Sequence, residues 1–229
     1  MSPIQTRLEA VQQQIQQAEE KYRRVSGSVQ LLAVSKTRPA QDILQAVAAG
    51  QRRFGESYIQ EALDKIEQLR DSNLEWHFIG RIQGNKTRAI AENFDWVHSI
   101  DSLRHIKRLN DQRPTQLPPL KICLQIKIDD EESKAGMSID DARQLIKQMP
   151  SFPRLSLQGL MTLPAPSETV EAQRRPFRLL RQLRDELATE TLPLETLSMG
   201  MTDDLEAAIA EGSTLVRIGT AIFGPRNYA

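Results

Sequence analysis

Gln30-Leu31-Leu32-Ala33-Val34-Ser35 is a short apolar run; residues 39–49 then carry helical periodicity that stops at Gly50, and Arg52-Arg53-Phe54-Gly55 opens a second run. Strand, helix, strand in that order predicts parallel neighbours joined by a crossover rather than a hairpin. The unit recurs along the chain. Apolar runs at 30–35, 52–55, 75–79, 96–100, 121–128, 156–162, 195–199 and 214–218 predict eight strands. Helical patterns lie between them at 39–49, 58–69, 85–93, 102–110, 139–149, 170–187 and 203–210, the last followed by Gly212. With no Gly-rich linker dividing them, eight such units predict an α/β fold, a single closed (β/α)8 TIM barrel. An extra N-terminal helix at roughly 4–25 and a linker at Ser26-Gly27-Ser28 precede it, so that 1–28 is helix and linker, 29–224 barrel, and 1–229 one domain. Pro114, Pro118 and Pro119 mark the longest connector, before the fifth strand.

The chain has 229 residues, and 30 Lys+Arg offset 30 Asp+Glu. No net field therefore draws it to phosphodiester backbones or anionic lipid. Its apolar runs are strand-sized, far short of the ~20 residues of a membrane helix. Residues 1–20 are Gln-rich and acidic, without the basic-then-apolar order of a signal peptide. These features predict a cytoplasmic protein with no nucleic acid and no membrane among its partners. The lone Cys123 excludes an internal disulfide and a cysteine metal cage, and its place in an apolar run makes it a core residue. His77, His98 and His105 lack ligand spacing, so no metal site is expected. Trp76 and Trp96 are expected to pack under helices, and Arg174, Arg175, Arg178, Arg181 and Arg184 to form a solvated helix face.

In a barrel of this kind the site lies at the carboxyl ends of the strands. Lys36 ends the first strand, where a charge is poorly placed unless it enters the barrel mouth or snorkels to water. A desolvated lysine there is a nucleophile toward aldehydes. After strand seven comes Ser198-Met199-Gly200-Met201-Thr202, and after strand eight Gly219-Thr220. The loops after these strands, with a helix N-terminus, are the usual phosphate site of a barrel, although Thr202 also reads as a simple N-cap. Asp203 and Asp204 are expected in the first turn that follows, where they already use the helix dipole. Arg217 sits near the end of an apolar strand and keeps its charge, so if it points inward it needs a carboxylate, a phosphate or a ring nitrogen. His77, at the end of strand three, is either a ligand contact or a satisfied core histidine.

Ala33-Val34-Ser35-Lys36-Thr37, Phe54-Gly55-Glu56, His77-Phe78-Ile79-Gly80, Gln83-Gly84-Asn85-Lys86, Glu132-Ser133-Lys134-Ala135-Gly136, Gly159-Leu160-Met161-Thr162, Leu197-Ser198-Met199-Gly200-Met201 and the run from Gly212 to Thr220 extend the pattern over most of the chain. In combination they resemble the pyridoxal phosphate homeostasis proteins, the YggS/PROSC family. The resemblance implies a barrel similar to the N-terminal domain of alanine racemase, the fold-type III arrangement for pyridoxal 5′-phosphate (PLP). It implies that Lys36 forms a covalent aldimine with PLP, that Ser198, Gly200, Gly219 and Thr220 hold the phosphate, and that Arg217 meets the pyridine nitrogen. Asn85, His77 and Met199 are implied to line the ring and the mouth.

The function so implied is binding of PLP as a lysine aldimine in intracellular vitamin B6 homeostasis and amino-acid/keto-acid balance, without robust catalysis, with apo PLP-dependent enzymes as partners. A covering domain with a second catalytic base is not expected after residue 224, and the protein is expected to be a monomer. A small PLP-dependent racemase, with Lys36 and Tyr58 or a water as its bases, is the alternative; a Schiff-base aldolase acting on a sugar phosphate and a non-enzymatic scaffold are further ones.

Overall fold

The structure, a computed structural model, describes residues 2–128 and 135–225. Glu132, Ser133 and Lys134 of the quoted motif, and Tyr228, lie outside the described residues. Eight parallel strands close into a barrel in chain order: β1 Gln30–Val34, β2 Arg53–Glu56, β3 Glu75–Phe78, β4 Trp96–Ile100, β5 Leu120–Gln125, β6 Leu155–Met161, β7 Thr196–Ser198 and β8 Leu215–Ile218. Closure is made by β1 against β8, with Gln30 opposite Leu215 and Ala33 opposite Ile218. The helices are α1 Pro3–Lys21, α2 Ala40–Ala48, α3 Ile59–Gln68, α4 Thr87–Asn93, α5 Leu103–Gln112, α6 Ile139–Ile146, α7 Val170–Leu187, α8 Leu205–Ala210 and α9 Thr220–Phe223. Among the described residues no helix is long and apolar enough to cross a membrane.

Helix α1 begins at a capping box, in which the Ser2 side chain accepts from Gln5 N–H and the Gln5 side chain accepts from Ser2 N–H. Ile4, Leu8, Val11, Ile15 and Ala18 recur at helical spacing and are buried against the barrel's own helices. The helix stops at Lys21, short of the expected residue 25, because Arg23 takes a left-handed φ of 53°. The buried Glu19 carboxylate then accepts from Gly27 N–H, Val29 N–H and the Ser28 hydroxyl, which fixes the linker entering β1.

Strand parity sorts the core. On β3, Trp76 and Phe78 face the helices, where Phe78 meets Phe94 edge-on with ring centroids 5.3 Å apart. His77, between them, faces the barrel interior. Register pairs His77 with Trp96, so Trp96 also points inward, and the two rings stack at 5.3 Å and 8°. This corrects the expectation that Trp96 packs under a helix: Val97, its neighbour, takes the helix side opposite Phe78. Trp96, Cys123 and Met161 form a separate apolar cluster inside the barrel. Burial there pushes the Cys123 thiol up to about 12, so it stays protonated and inert.

The arginine stripe of α7 also differs from expectation. Arg174, Arg178 and Arg181 converge on the buried Glu211 carboxylate at 2.8, 3.1 and 3.3 Å, and together they hold its pKa below the usual range despite burial. The face is half-exposed, and its charge ties α7 to the C-terminal end of α8.

Candidate functional site

The carboxyl ends of the strands bring the leading candidates together. Lys36, two residues past β1, is half-buried and shares a small cleft of about 30 Å³ with Val34, Arg38, Gly219, Thr220, Phe223 and Gly224. It also borders a wider cavity of about 560 Å³, formed with Ser57, Tyr58, Phe78, Ile79, Gly80 and Gln83. The first and last strands of a closed barrel are neighbours, which is why residues 36 and 219 meet. Gly219 permits the approach: a Cβ there would lie 3.3 Å from the Val34 carbonyl oxygen.

The backbone on both sides of Lys36 is clamped by a buried charge cluster that sequence reasoning missed. The Ser35 hydroxyl donates to Glu56 Oε1 at 2.6 Å, and Lys65 Nζ donates to the Ser35 carbonyl and to Glu56 Oε1, each at 2.8 Å. Lys65 also pairs with Glu61, which accepts from Thr37 N–H at 2.6 Å. Thr37 has a φ of 63°, a left-handed conformation that a threonine holds only when its neighbours are fixed. Glu56 is fully buried, and one of its oxygens, Oε2, has no hydrogen-bond partner among the described residues. Burial raises its pKa, against the opposing pull of Lys65.

At the far side of the mouth, Gly200 adopts a φ of 100° and its carbonyl accepts from Arg217 N–H at 2.9 Å. A Cβ at Gly200 would fall 2.6 Å from the Ala208 methyl, so only glycine fits the turn between β7 and α8. Thr202 does not cap α8. Asp204 is the N-cap residue, preceded by Asp203, and its carboxylate accepts from Met201 N–H at 2.5 Å. Gly219 precedes the single turn of α9 and its carbonyl accepts from Ile222 and Phe223. The amides of the first turn have no intrahelical acceptor.

Arg217 does point into the barrel. Nη1 donates to the Ser198 carbonyl at 2.5 Å and to Ser198 Oγ at 2.8 Å, and Nη2 donates to the Thr162 carbonyl at 2.9 Å. Three of its five N–H groups are thereby engaged. Burial lowers its pKa to about 10, which leaves it charged at neutral pH.

The remaining candidates are spread out. His77 is fully buried, with Nε2 on Glu75 and Nδ1 on His98, each at 2.9 Å. The Met199 side chain is buried in the core between barrel and helices, so the structure does not bring it to the mouth. Asn85 is exposed on the one-turn helix Gly84–Lys86. Among the described residues no cluster of His, Cys, Asp or Glu could hold a metal ion.

Residues 6–227 match the family model described as alanine racemase, N-terminal domain. The pyridoxal phosphate homeostasis protein of Escherichia coli K12 is 50% identical over 236 residues, covering 100% of this chain and 99% of the relative. That of Pseudomonas aeruginosa is 51% identical over 228 residues, covering 100% and 98%. The chain belongs to the pyridoxal phosphate homeostasis protein family. Among solved structures, PipY of Synechococcus elongatus with PLP bound superposes with a TM-score of 0.84 at 37% identity, covering 96% of this chain and 100% of that one. Alanine racemase from Corynebacterium glutamicum superposes at 0.68 with 18% identity, covering 95% of this chain and 62% of that one, a likeness of fold alone.

Proposed function

We propose that this member of the family binds PLP at the barrel mouth, held covalently at Lys36 Nζ, and serves intracellular vitamin B6 homeostasis by keeping PLP sequestered and releasing it to apo-enzymes. The observation that carries the proposal is the meeting of Lys36 with Gly219 and Thr220 in one cleft. The donor set fits the cofactor's three handles. A primary amine suits the aldehyde, and the amides of Gly200, Gly219 and Thr220 suit the phosphate. Arg217, with three of its five N–H groups engaged among the described residues, suits the pyridine nitrogen. PLP supplies a reactive carbonyl and an electron-withdrawing ring, and a guanidinium at the ring nitrogen keeps that nitrogen unprotonated and the ring a weak electron sink. The protein's own task is to hold and orient.

Two features support holding over turnover. The relatives at about 50% identity are named for homeostasis, whereas the likeness to the racemase, at 18% identity, concerns the barrel. Tyr58, the side chain suggested as a second base, is exposed at the rim, where it is not fixed by burial. The test is a spectroscopic titration with PLP. Wild-type protein gains a visible absorption band and Lys36→Ala does not. An unchanged band in Lys36→Ala, or rapid solvent-deuterium exchange at the α-carbon of amino acids by wild type, overturns the reading.

A further inference from the structure

The hydrogen bonds that begin at Arg217 do not end at the mouth. Ser198 Oγ, 2.8 Å from Arg217 Nη1, lies 2.7 Å from His98 Nδ1; His98 Nε2 lies 2.9 Å from His77 Nδ1; His77 Nε2 lies 2.9 Å from Glu75 Oε1. Glu75 is at the start of β3 and borders a cavity of about 970 Å³ at the opposite end of the barrel. Arg53 and Lys121 meet the same carboxylate there at 3.1 and 3.5 Å. An unbroken chain of side chains from four strands thus crosses the barrel interior.

The two ends give the chain a direction. A guanidinium can only donate, and a carboxylate can only accept. The hydrogen bond from His77 holds Glu75 ionised, with its pKa lowered to about 2. Burial lowers the pKa of both His77 and His98, so each ring carries one proton at neutral pH. His77 must place its proton on Nε2 to donate to Glu75, which leaves Nδ1 to accept from His98 Nε2–H. His98 Nδ1 must then accept from the Ser198 hydroxyl. Ser198 Oγ in turn accepts from Arg217. Every proton in the chain points toward Glu75, and the single hydroxyl proton of Ser198 is committed inside the barrel.

We propose that Glu75, His77, His98 and Ser198 form a one-directional relay that positions Arg217 for the cofactor ring, and that the Ser198 side chain is a positioning residue and not a donor to the phosphate. This rests on the PLP reading above, and it assigns Glu75, at the far face of the barrel, a part in the cofactor site.

Two measurements test it. In PLP-free wild type, ¹⁵N-labelled histidine spectra show His77 and His98 both neutral with the proton on Nε2, and Glu75→Ala gives a mixture of tautomers at both rings. Separately, affinities for PLP and for pyridoxal, which lacks the phosphate, are compared in wild type and Ser198→Ala. Loss of the hydrogen bond behind Arg217 weakens both ligands by the same factor, roughly five- to tenfold. A phosphate donor at Ser198 would weaken PLP alone. A proton on Nδ1 of either histidine in wild type, a loss confined to PLP, or no loss for either ligand overturns the proposal. If Glu75→Ala does not fold, the wild-type spectra and Ser198→Ala still decide. Should wild type bind neither ligand, the functional reading falls and takes the positioning role with it, while the tautomers still judge the relay.

Discussion

Two buried polar networks flank the mouth, and they are built on opposite electrostatic plans. The cluster behind Lys36 is ionic: Lys65 is set between Glu56 and Glu61, with the Ser35 and Thr37 backbone drawn in. The chain behind Arg217 is neutral through most of its length, with charge only at its two ends. Removing one partner of a buried ion pair strands the other charge in low dielectric, so the first network is rigid and intolerant. The second carries its order in which nitrogen holds a proton, so it can be altered without opening the fold. Lys36 sits on the rigid plan, and Arg217 on the adjustable one.

The sharpest break in this contrast comes at Lys65. Lys65→Ala leaves Glu56 buried without its cation and should cost about 3–5 kcal/mol, read as a fall in the denaturant midpoint. A loss below ~1 kcal/mol would put the cluster on a level with a surface pair. The histidine chain should show itself through acid. Burial disfavours protonation of its two rings in the fold, while the unfolded chain protonates them below about 6.5. The unfolded state then binds more protons, so stability is intact above that pH and falls as pH drops below it, with a slope of up to ~1.4 kcal/mol per pH unit for each ring. Denaturation curves between pH 7 and 5 measure this, and His98→Phe should reduce the slope; a flat profile would mean the rings take up protons in the fold as readily as in the unfolded chain. At the exposed edge of the ionic cluster, Glu61→Gln keeps an acceptor for Thr37 N–H but removes the charge, and should cost about 1 kcal/mol. The smallest effect is at Cys123: thiol reagents should leave the folded protein unmodified and react only once denaturant opens the barrel.

What could be read from the sequence follows the same division. The eight apolar runs survive as strands because a parallel barrel buries both faces of each one, and the meeting of Lys36 with Gly219 and Thr220 follows from closure of the first strand on the last. The networks behind them were not legible. His77 and His98 are 21 residues apart and share no motif; only register, which sets His77 beside Trp96, turns His98 toward the same interior. Lys65 reads as an ordinary helix charge until α3 lays it over the end of β2, and the α7 arginines read as solvated because their acceptor, Glu211, lies more than 25 residues further along. Long-range polar pairing leaves no local period to detect.

One lysine, at the end of β1, is proposed to capture the cofactor, and borohydride reduction of PLP-loaded protein followed by peptide mapping identifies the lysine that does so. A stable pyridoxyl adduct is expected on the peptide that carries Lys36. An adduct confined to other lysines, or none at all, would contradict it.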